Sequence, residues 1–397
     1  MTESALAQRT GLAEARDLAH AAGMTARPVL GVERVPLTDA AGRVLATPVS
    51  ARAHLPSFSS SAMDGWAVSG CGPWRLGDAV LAGAATPAPL TPGNACAIAT
   101  GAVLPAGAHA VMRHERGWAD DDGWLHAQEQ VRIGADVRYA GEEASPNEEL
   151  VPCGTRITPS IVALAAAAGH DEVIVTCRPG AAALVLGDEV VAAGVPAPGR
   201  VRDVFTPALP AALARLGAEC VRRRRVGDDL AVTMAALEEE LATSPLVLTT
   251  GGSSHGPADH SRAALEALGG EAVFDGVELR PGHPVMLHRM PQGQLVLSLP
   301  GNPLAGFVCL AVLGPPLVDG MLGRRMTGLR REILAVAVAN PRPGRRVLPC
   351  VRGDDGLMPT AWQGSAMLRG LAAADVLAVI PPGGASAGAA VEAVEPV

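Results

Sequence analysis

The sequence predicts a multidomain α/β protein. The expected parts are a doubly wound parallel-sheet domain, a β-rich inserted domain, a mixed and discontinuous N-terminal domain, and a small C-terminal β-barrel. Three textures carry this expectation. From 181 to 324, short apolar runs alternate with amphipathic stretches of about 10–15 residues, as strands and crossover helices do in a parallel sheet. From 51 to 143, brief β-like pieces such as WAVSG, AVLAG and ACAIATG are broken by Gly, Pro and Asp turns. Past 325 the short-strand texture returns in REILAVAVA, RRVLPCVR and DVLAVIPP, which suits a small barrel.

Taken in chain order, residues 4–23 have helical spacing, and Glu33–Leu37 reads as a strand before a turn at Asp39–Gly42. Helical character returns at Ser160–Gly169. Residues 1–50 and 144–180 are therefore expected to form one domain, interrupted by the insertion 51–143. In 181–324 the strand AAALVLG ends at Gly187. A helix Thr206–Leu216, a strand Glu219–Val226 and a helix Asp229–Leu241 follow. The central strand is Leu246–Thr250, too short for a helix and apolar throughout. After it come a helix Asp259–Leu268 with Asp259 as N-cap, a hairpin-like stretch Val277–Leu287, a strand Leu295–Leu299 and a long helix Pro303–Leu322. Residues 325–397 form the terminal barrel.

Composition narrows the function. The 397 residues are enough for roughly two to four domains. A net charge of −8 argues against a nucleic-acid partner, and the one basic run, Arg222–Arg225, reads as a solvated strand edge. No apolar run is expected to span a membrane, and the N-terminus lacks a basic segment followed by an apolar one, so the expected location is the cytoplasm. The 7 cysteines show no C-x-x-C spacing and no neighbouring paired His, so neither a zinc site nor a disulfide framework is expected. All 32 basic side chains are arginine. Chemistry that needs a lysine, as in a Walker loop or a Schiff base, is excluded. An anion must be held by Arg, His, backbone N–H or metal.

In a doubly wound sheet, ligands bind beyond the carboxyl ends of the strands. Here those ends lead into Gly187-Asp188-Glu189, Gly227-Asp228-Asp229, Gly251-Gly252 with Asp259 following, and Pro300-Gly301-Asn302-Pro303. Paired glycines let N–H groups approach a phosphate closely. Carboxylates gathered beside such a loop suit a metal between acid and phosphate, most often Mg²⁺. Taken alone, Gly251-Gly252 also fits a plain strand-to-helix turn. Asn302 and Pro303 suit the start of the last helix. The rigid turn Arg280-Pro281-Gly282-His283-Pro284 offers two basic side chains to an oxyanion.

These pieces resemble the molybdopterin molybdenumtransferases, the bacterial MoeA proteins and the E domain of gephyrin, over nearly the whole length. Phe58-Ser59-Ser60-Ser61-Ala62-Met63-Asp64-Gly65-Trp66-Ala67 looks like the family's substrate-loop signature. Thr100-Gly101-Ala102 resembles its second loop, and Arg138 through Gly141-Glu142-Glu143 its third. The strand-end motifs and Arg280-Pro281-Gly282 follow in the family's order, and Gln363-Gly364-Ser365 looks like its terminal-domain motif. There are departures. Asp203-Val204-Phe205 stands where the family has Asp-[Ser/Thr]-Asn, Arg280 and His283 replace two lysines, Glu143 replaces Asp, and Ser-Ser-His follows Gly252.

The resemblance implies a doubly wound molybdopterin-binding domain and Mg²⁺-dependent insertion of molybdate into adenylylated molybdopterin, with release of AMP and molybdenum cofactor. It implies that Gly251, Gly252 and Ser253 hold the adenylate phosphate, and that Glu189, Asp228 and Asp259 hold or orient Mg²⁺. Asp64 and Thr100 would face the pterin dithiolene. Pro300, Gly301, Asn302 and Pro303 would shape the oxyanion pocket with Arg280 and His283, while Arg138, Glu143, Asp203 and Ser365 would complete substrate binding. The expected partners are a second copy, in a homodimer whose site is shared between subunits, and a molybdopterin adenylyltransferase. Two other classes share parts of the pattern: a catalytically weak paralogue acting as a molybdopterin-binding or scaffold protein, and a nucleotide pyrophosphatase sharing only the doubly wound domain.

Overall fold

The computed structural model describes residues 9–83, 86–252, 260–364 and 366–397. The doubly wound domain holds six strands: β1 Gly180–Leu186, β2 Glu219–Val226, β3 Leu246–Thr250, β4 Glu271–Asp275, β5 Met286–Arg289 and β6 Leu295–Leu299. Its helices are α1 Phe205–Leu216, α2 Leu230–Leu241, α3 Ser261–Ala267 and α4 Pro303–Leu322. The strand order is β2-β1-β3-β6-β5-β4. The first four run parallel, and β5 and β4 add an antiparallel edge. The sheet is therefore mixed rather than wholly parallel, an arrangement common in large open sheets.

The Val277–Leu287 stretch is not one hairpin. β4 and β5 pair with each other, and between them Leu279–Arg280 leaves the sheet to pair with Arg345–Arg346 of the terminal domain. Short-range turn chemistry could not show this, because the partner lies 66 residues on (346 − 280).

Each face of the sheet buries apolar side chains under helices. Ala181, Ala183, Val185, Leu246, Leu248, Leu295, Leu297 and Leu299 face α1 and α4. Ala182, Leu184, Val247 and Val296 face α2 and α3. Helix α4 is long and apolar enough to cross a bilayer, against the expectation that no run would be, but 94% of its apolar window is buried inside the protein. It is the central core helix. The N-terminal helix Leu12–Ala26 crosses it at Gly23 and Gly320, where a Cβ on Gly320 would lie 2.2 Å from the His20 carbonyl oxygen. Only glycine allows so close a crossing. Arg16, nearly fully buried, donates to the carbonyls of Val312 and Thr327 and ties the same pair together.

Val32–Pro36 pairs antiparallel with Glu172–Thr176, which joins segments from both sides of the insertion. The insertion is a six-stranded sheet in the order Ala110–Arg113, Gly65–Val68, Asn94–Ile98, Trp74–Val80, Trp124–Ala127, Gly117–Ala119. In the terminal domain the sheet runs Leu279–Arg280, Arg345–Gly353, Val376–Ile380, Ala390–Val394, Arg330–Ile333. Gly356–Pro359 pairs with Arg345–Gly353, and Leu334 bridges Leu357, which closes the sheet into the expected barrel.

Candidate active site

The parallel strands bring their carboxyl ends into one row. Gly251 leaves β3 with φ +90, and a Cβ there would sit 2.7 Å from the Leu186 carbonyl oxygen at the end of β1. Gly301, after β6, packs on the other side: its Cβ would lie 3.1 Å from the Gly251 Cα. Gly252 also has positive φ, and its Cβ position is 2.8 Å from the Ser261 Oγ, which is fully buried and has no hydrogen-bond partner among the described residues. The glycine pair thus makes a backbone-lined turn between β1 and β6, the kind of surface an anion approaches closely.

At the neighbouring ends, Asp188 and Asp228 clasp each other. The Asp188 N–H donates to Asp228 Oδ2 at 3.1 Å, and the Asp228 N–H donates to Asp188 Oδ1 at 3.4 Å. The Glu189 carboxylate folds back against Gly187, 2.6 Å from where its Cβ would be. None of the three carboxylates has an arginine partner in an ion pair among the described residues. Among those residues no group of three or more ligating side chains is preassembled for a metal. Uncompensated hard oxygens in that number still fit Mg²⁺, which uses one or two carboxylates and keeps several waters. Asp259, Ser253 and Ser365 lie outside the described residues. The N-cap position of α3 falls to His260, without a side-chain hydrogen bond, rather than to Asp259.

Other expected residues have local duties. Asp203, almost fully buried, accepts from the N–H groups of Phe205 at 3.0 Å and Thr206 at 2.9 Å, and so starts α1. Asn302 caps α4 through the Ala305 N–H at 3.3 Å, with Pro303 in the first turn and Pro300 buried behind it.

The Arg280 turn flanks the same helix start. Gly282 has φ +122, and a Cβ there would be 2.4 Å from Cys309 Sγ and 3.6 Å from the Ala305 carbonyl oxygen of α4. The Cys309 thiol, whose pKa burial pushes far up, stays a neutral donor to the Gly282 carbonyl at 3.3 Å. Beside this turn is a cavity of about 370 Å³ lined by Arg280, Arg342, Arg346 and Gln363. None of these arginines has a carboxylate partner among the described residues. His283 is exposed and does not line the cavity. Arg342 and Arg346 were missed in the sequence. Their only signal was a pair of arginine-bearing turns, and the parallel pairing that brings them to Arg280 is long-range.

In the insertion, three loops are laced together. The Thr100 N–H donates to Asp64 Oδ1 at 2.8 Å, the Gly101 N–H to the Ser61 carbonyl at 2.8 Å, and the Ala140 N–H to Ser59 Oγ at 3.1 Å. Ser60–Ser61 pairs with Val137–Arg138. Asp64, Thr100, Arg138 and Glu143 are all exposed around this knot. Their described hydrogen bonds run within the insertion and to its stem, not to the doubly wound sheet. The sequence-predicted residues therefore form two groups within one chain.

A glycine turn and an arginine-lined cavity beside the start of α4, with an acid rim at the neighbouring strand ends, define a multidomain protein built around a doubly wound domain. Comparison with known proteins fixes the family. Family models for the MoeA N-terminal region (domains I and II), a probable molybdopterin binding domain and the MoeA C-terminal region (domain IV) match residues 10–169, 182–319 and 331–395. The molybdopterin molybdenumtransferase of Synechococcus elongatus is 34% identical, with 73% of this chain and 75% of that protein covered. That of Bacillus subtilis is 30% identical, with 88% and 86% covered. A solved structure of the molybdopterin biosynthesis MoeA protein from Pyrococcus horikosii matches with a TM-score of 0.81 at 26% identity, covering 98% of this chain and 99% of that one. The chain belongs to the MoeA family of molybdopterin molybdenumtransferases.

Proposed function

We propose that this protein is a molybdopterin molybdenumtransferase that inserts molybdate into adenylylated molybdopterin and releases AMP and molybdenum cofactor. The observation that carries the reading is the pairing of two anion-binding features on either side of the α4 start. Gly251 and Gly252 turn on one side, against Gly301. The Arg280 turn lies on the other, its Gly282 against Ala305 and Cys309, and the arginine cavity opens beside that turn. A substrate with a phosphate at one end and an oxyanion at the other would bridge them.

In this reading the N–H groups of Gly251 and Gly252 orient the adenylate phosphate. Arg280, Arg342 and Arg346 hold molybdate, a tetrahedral dianion suited to guanidinium forks. Glu189, Asp228 and Asp259 would hold Mg²⁺, which offsets charge on the phosphoanhydride. Asp64 and Thr100, with Arg138 and Glu143, bind the pterin end and come from the second subunit of a homodimer. Sedimentation showing only monomer at micromolar concentration would sink that shared site. A molybdopterin adenylyltransferase is the class of enzyme that must supply the substrate.

Complementation tests the function. Expressed in a strain lacking its own molybdenumtransferase, the protein should restore the activity of a molybdenum enzyme. Stable expression without restoration would overturn the reading in favour of a binding or scaffold role.

A further inference from the structure

Four arginines stand apart in a chain of net charge −8. Arg200, Arg202, Arg223 and Arg225 are all exposed. Each is anchored by a backbone carbonyl: Arg200 by Asp188, Arg225 by Val190 at 2.9 Å, Arg202 by Val191 at 3.1 Å and Arg223 by Thr206 at 3.4 Å. None has a carboxylate partner among the described residues. Their neighbours Arg222 and Arg224 both pair with Glu239 of α2, at 2.8 and 2.6 Å. The alternation of β2 explains the difference. Arg222 and Arg224 point to the face that carries α2, while Arg223 and Arg225 point to the face of Thr206 and the 187–204 loop.

One bond to a carbonyl fixes a guanidinium in place but leaves most of its five N–H donors, and its charge, uncompensated. Three of the four anchors fall at 188, 190 and 191, the segment by which β1 leaves the sheet. Arg200 is held by the carbonyl of Asp188, whose carboxylate forms the acid rim. The arginine row therefore borders the mouth of the strand-end crevice. Like charges fixed side by side raise the local potential, and such a potential speeds the arrival of anions.

We propose that Arg200, Arg202, Arg223 and Arg225 form an electrostatic entry face for a phosphate-bearing small molecule bound for the glycine turn. This rests on the reading that Gly251 and Gly252 receive an adenylate phosphate. The row sits beside the crevice rather than in it, so its effect is on the rate of association.

The test uses a fluorescent ADP as probe, with association followed by stopped flow across ionic strength. In one variant all four arginines become Gln, which keeps a polar N–H donor at each position and removes the charge. In a second all four become Lys, which keeps the charge. The wild-type on-rate should fall at least about tenfold between about 20 mM and 500 mM salt. The Gln variant should start about tenfold lower and vary little with salt, and the Lys variant should restore most of the slope. A Gln variant with the wild-type rate and slope would overturn the entry face while leaving the glycine-turn reading intact. Wild-type protein with no saturable ADP binding would overturn both. Should the fourfold Gln variant fold poorly, Arg200→Gln with Arg225→Gln alone is expected to lose about half of the logarithmic slope, and an unchanged slope there overturns the proposal equally.

Discussion

Gly251→Ala is expected to damage stability and ligand binding together. Its φ of +90 lies where L residues are strained, at about 1–2 kcal/mol. The added Cβ would also sit 2.7 Å from the Leu186 carbonyl oxygen. Leu186 pairs with Val226 in the β1–β2 ladder, so it cannot retreat without disturbing the sheet. Overpacking of this kind costs about 1–3 kcal/mol. Together the domain should lose roughly 2–5 kcal/mol, which for a domain of this size lowers the melting temperature by roughly 4–20 °C. Gly194→Ala is the control, because it has φ +74 but nothing within 4 Å of its Cβ position, and it should cost only about 1 kcal/mol. Thermal unfolding with and without AMP measures both effects, since a bound ligand raises the melting point. Gly251→Ala is expected to lose that AMP-dependent rise as well, because the N–H groups it displaces are the ones proposed to hold the phosphate. If it melts with Gly194→Ala and keeps the full shift, the close approach of β1 and the glycine turn plays no part.

Two further outcomes follow from buried groups. Asp203→Ala should lower stability by about 1–2 kcal/mol, because the N–H groups of Phe205 and Thr206 lose their acceptor, and Asp203→Asn should recover most of it in the same melt. His288 is almost fully buried, and burial holds its pKa below the ordinary 6.5, helped by Arg262 and opposed by Asp275 and Glu266. The unfolded chain therefore takes up a proton that the folded one does not, so stability is full above about pH 7 and falls as pH drops below 6.5. Urea midpoints from pH 8 to pH 5 should show this decline, and His288→Leu should flatten it.

The doubly wound domain was the most legible part of the sequence. Apolar runs such as Leu246–Thr250 and Leu295–Leu299 are buried along their whole length, so every residue carries the signal and the observed bounds agree. The antiparallel edge was not legible. β4 reads EAVFD, with charged residues at both ends and only Phe274 fully buried, and neither strand direction nor register is written in composition. The glycine turn and the acid pairs were found because they lie next to strands in sequence. Arg342 and Arg346 escaped because a parallel pairing from Leu279–Arg280 to Arg345–Arg346 brings them to the site. Asp203 was read as ligand-facing because a carboxylate in a loop looks the same whether it binds a ligand or caps a helix. Only the two N–H bonds at the start of α1 distinguish the cases.

The central claim is that the crevice at the strand ends cleaves an adenylate when molybdate is present. The direct measurement is AMP released from adenylylated molybdopterin by purified protein, with and without molybdate and Mg²⁺, for wild type and Asp228→Asn. Asn keeps an acceptor for the Asp188 N–H, so the clasp survives while the charge is lost. The expected result is AMP release by wild type that requires both molybdate and Mg²⁺, and at least about a hundredfold loss in Asp228→Asn, on the scale of removing one charged group from a metal-assisted site. Release by Asp228→Asn at the wild-type rate, or none by wild type under any of these conditions, would contradict it.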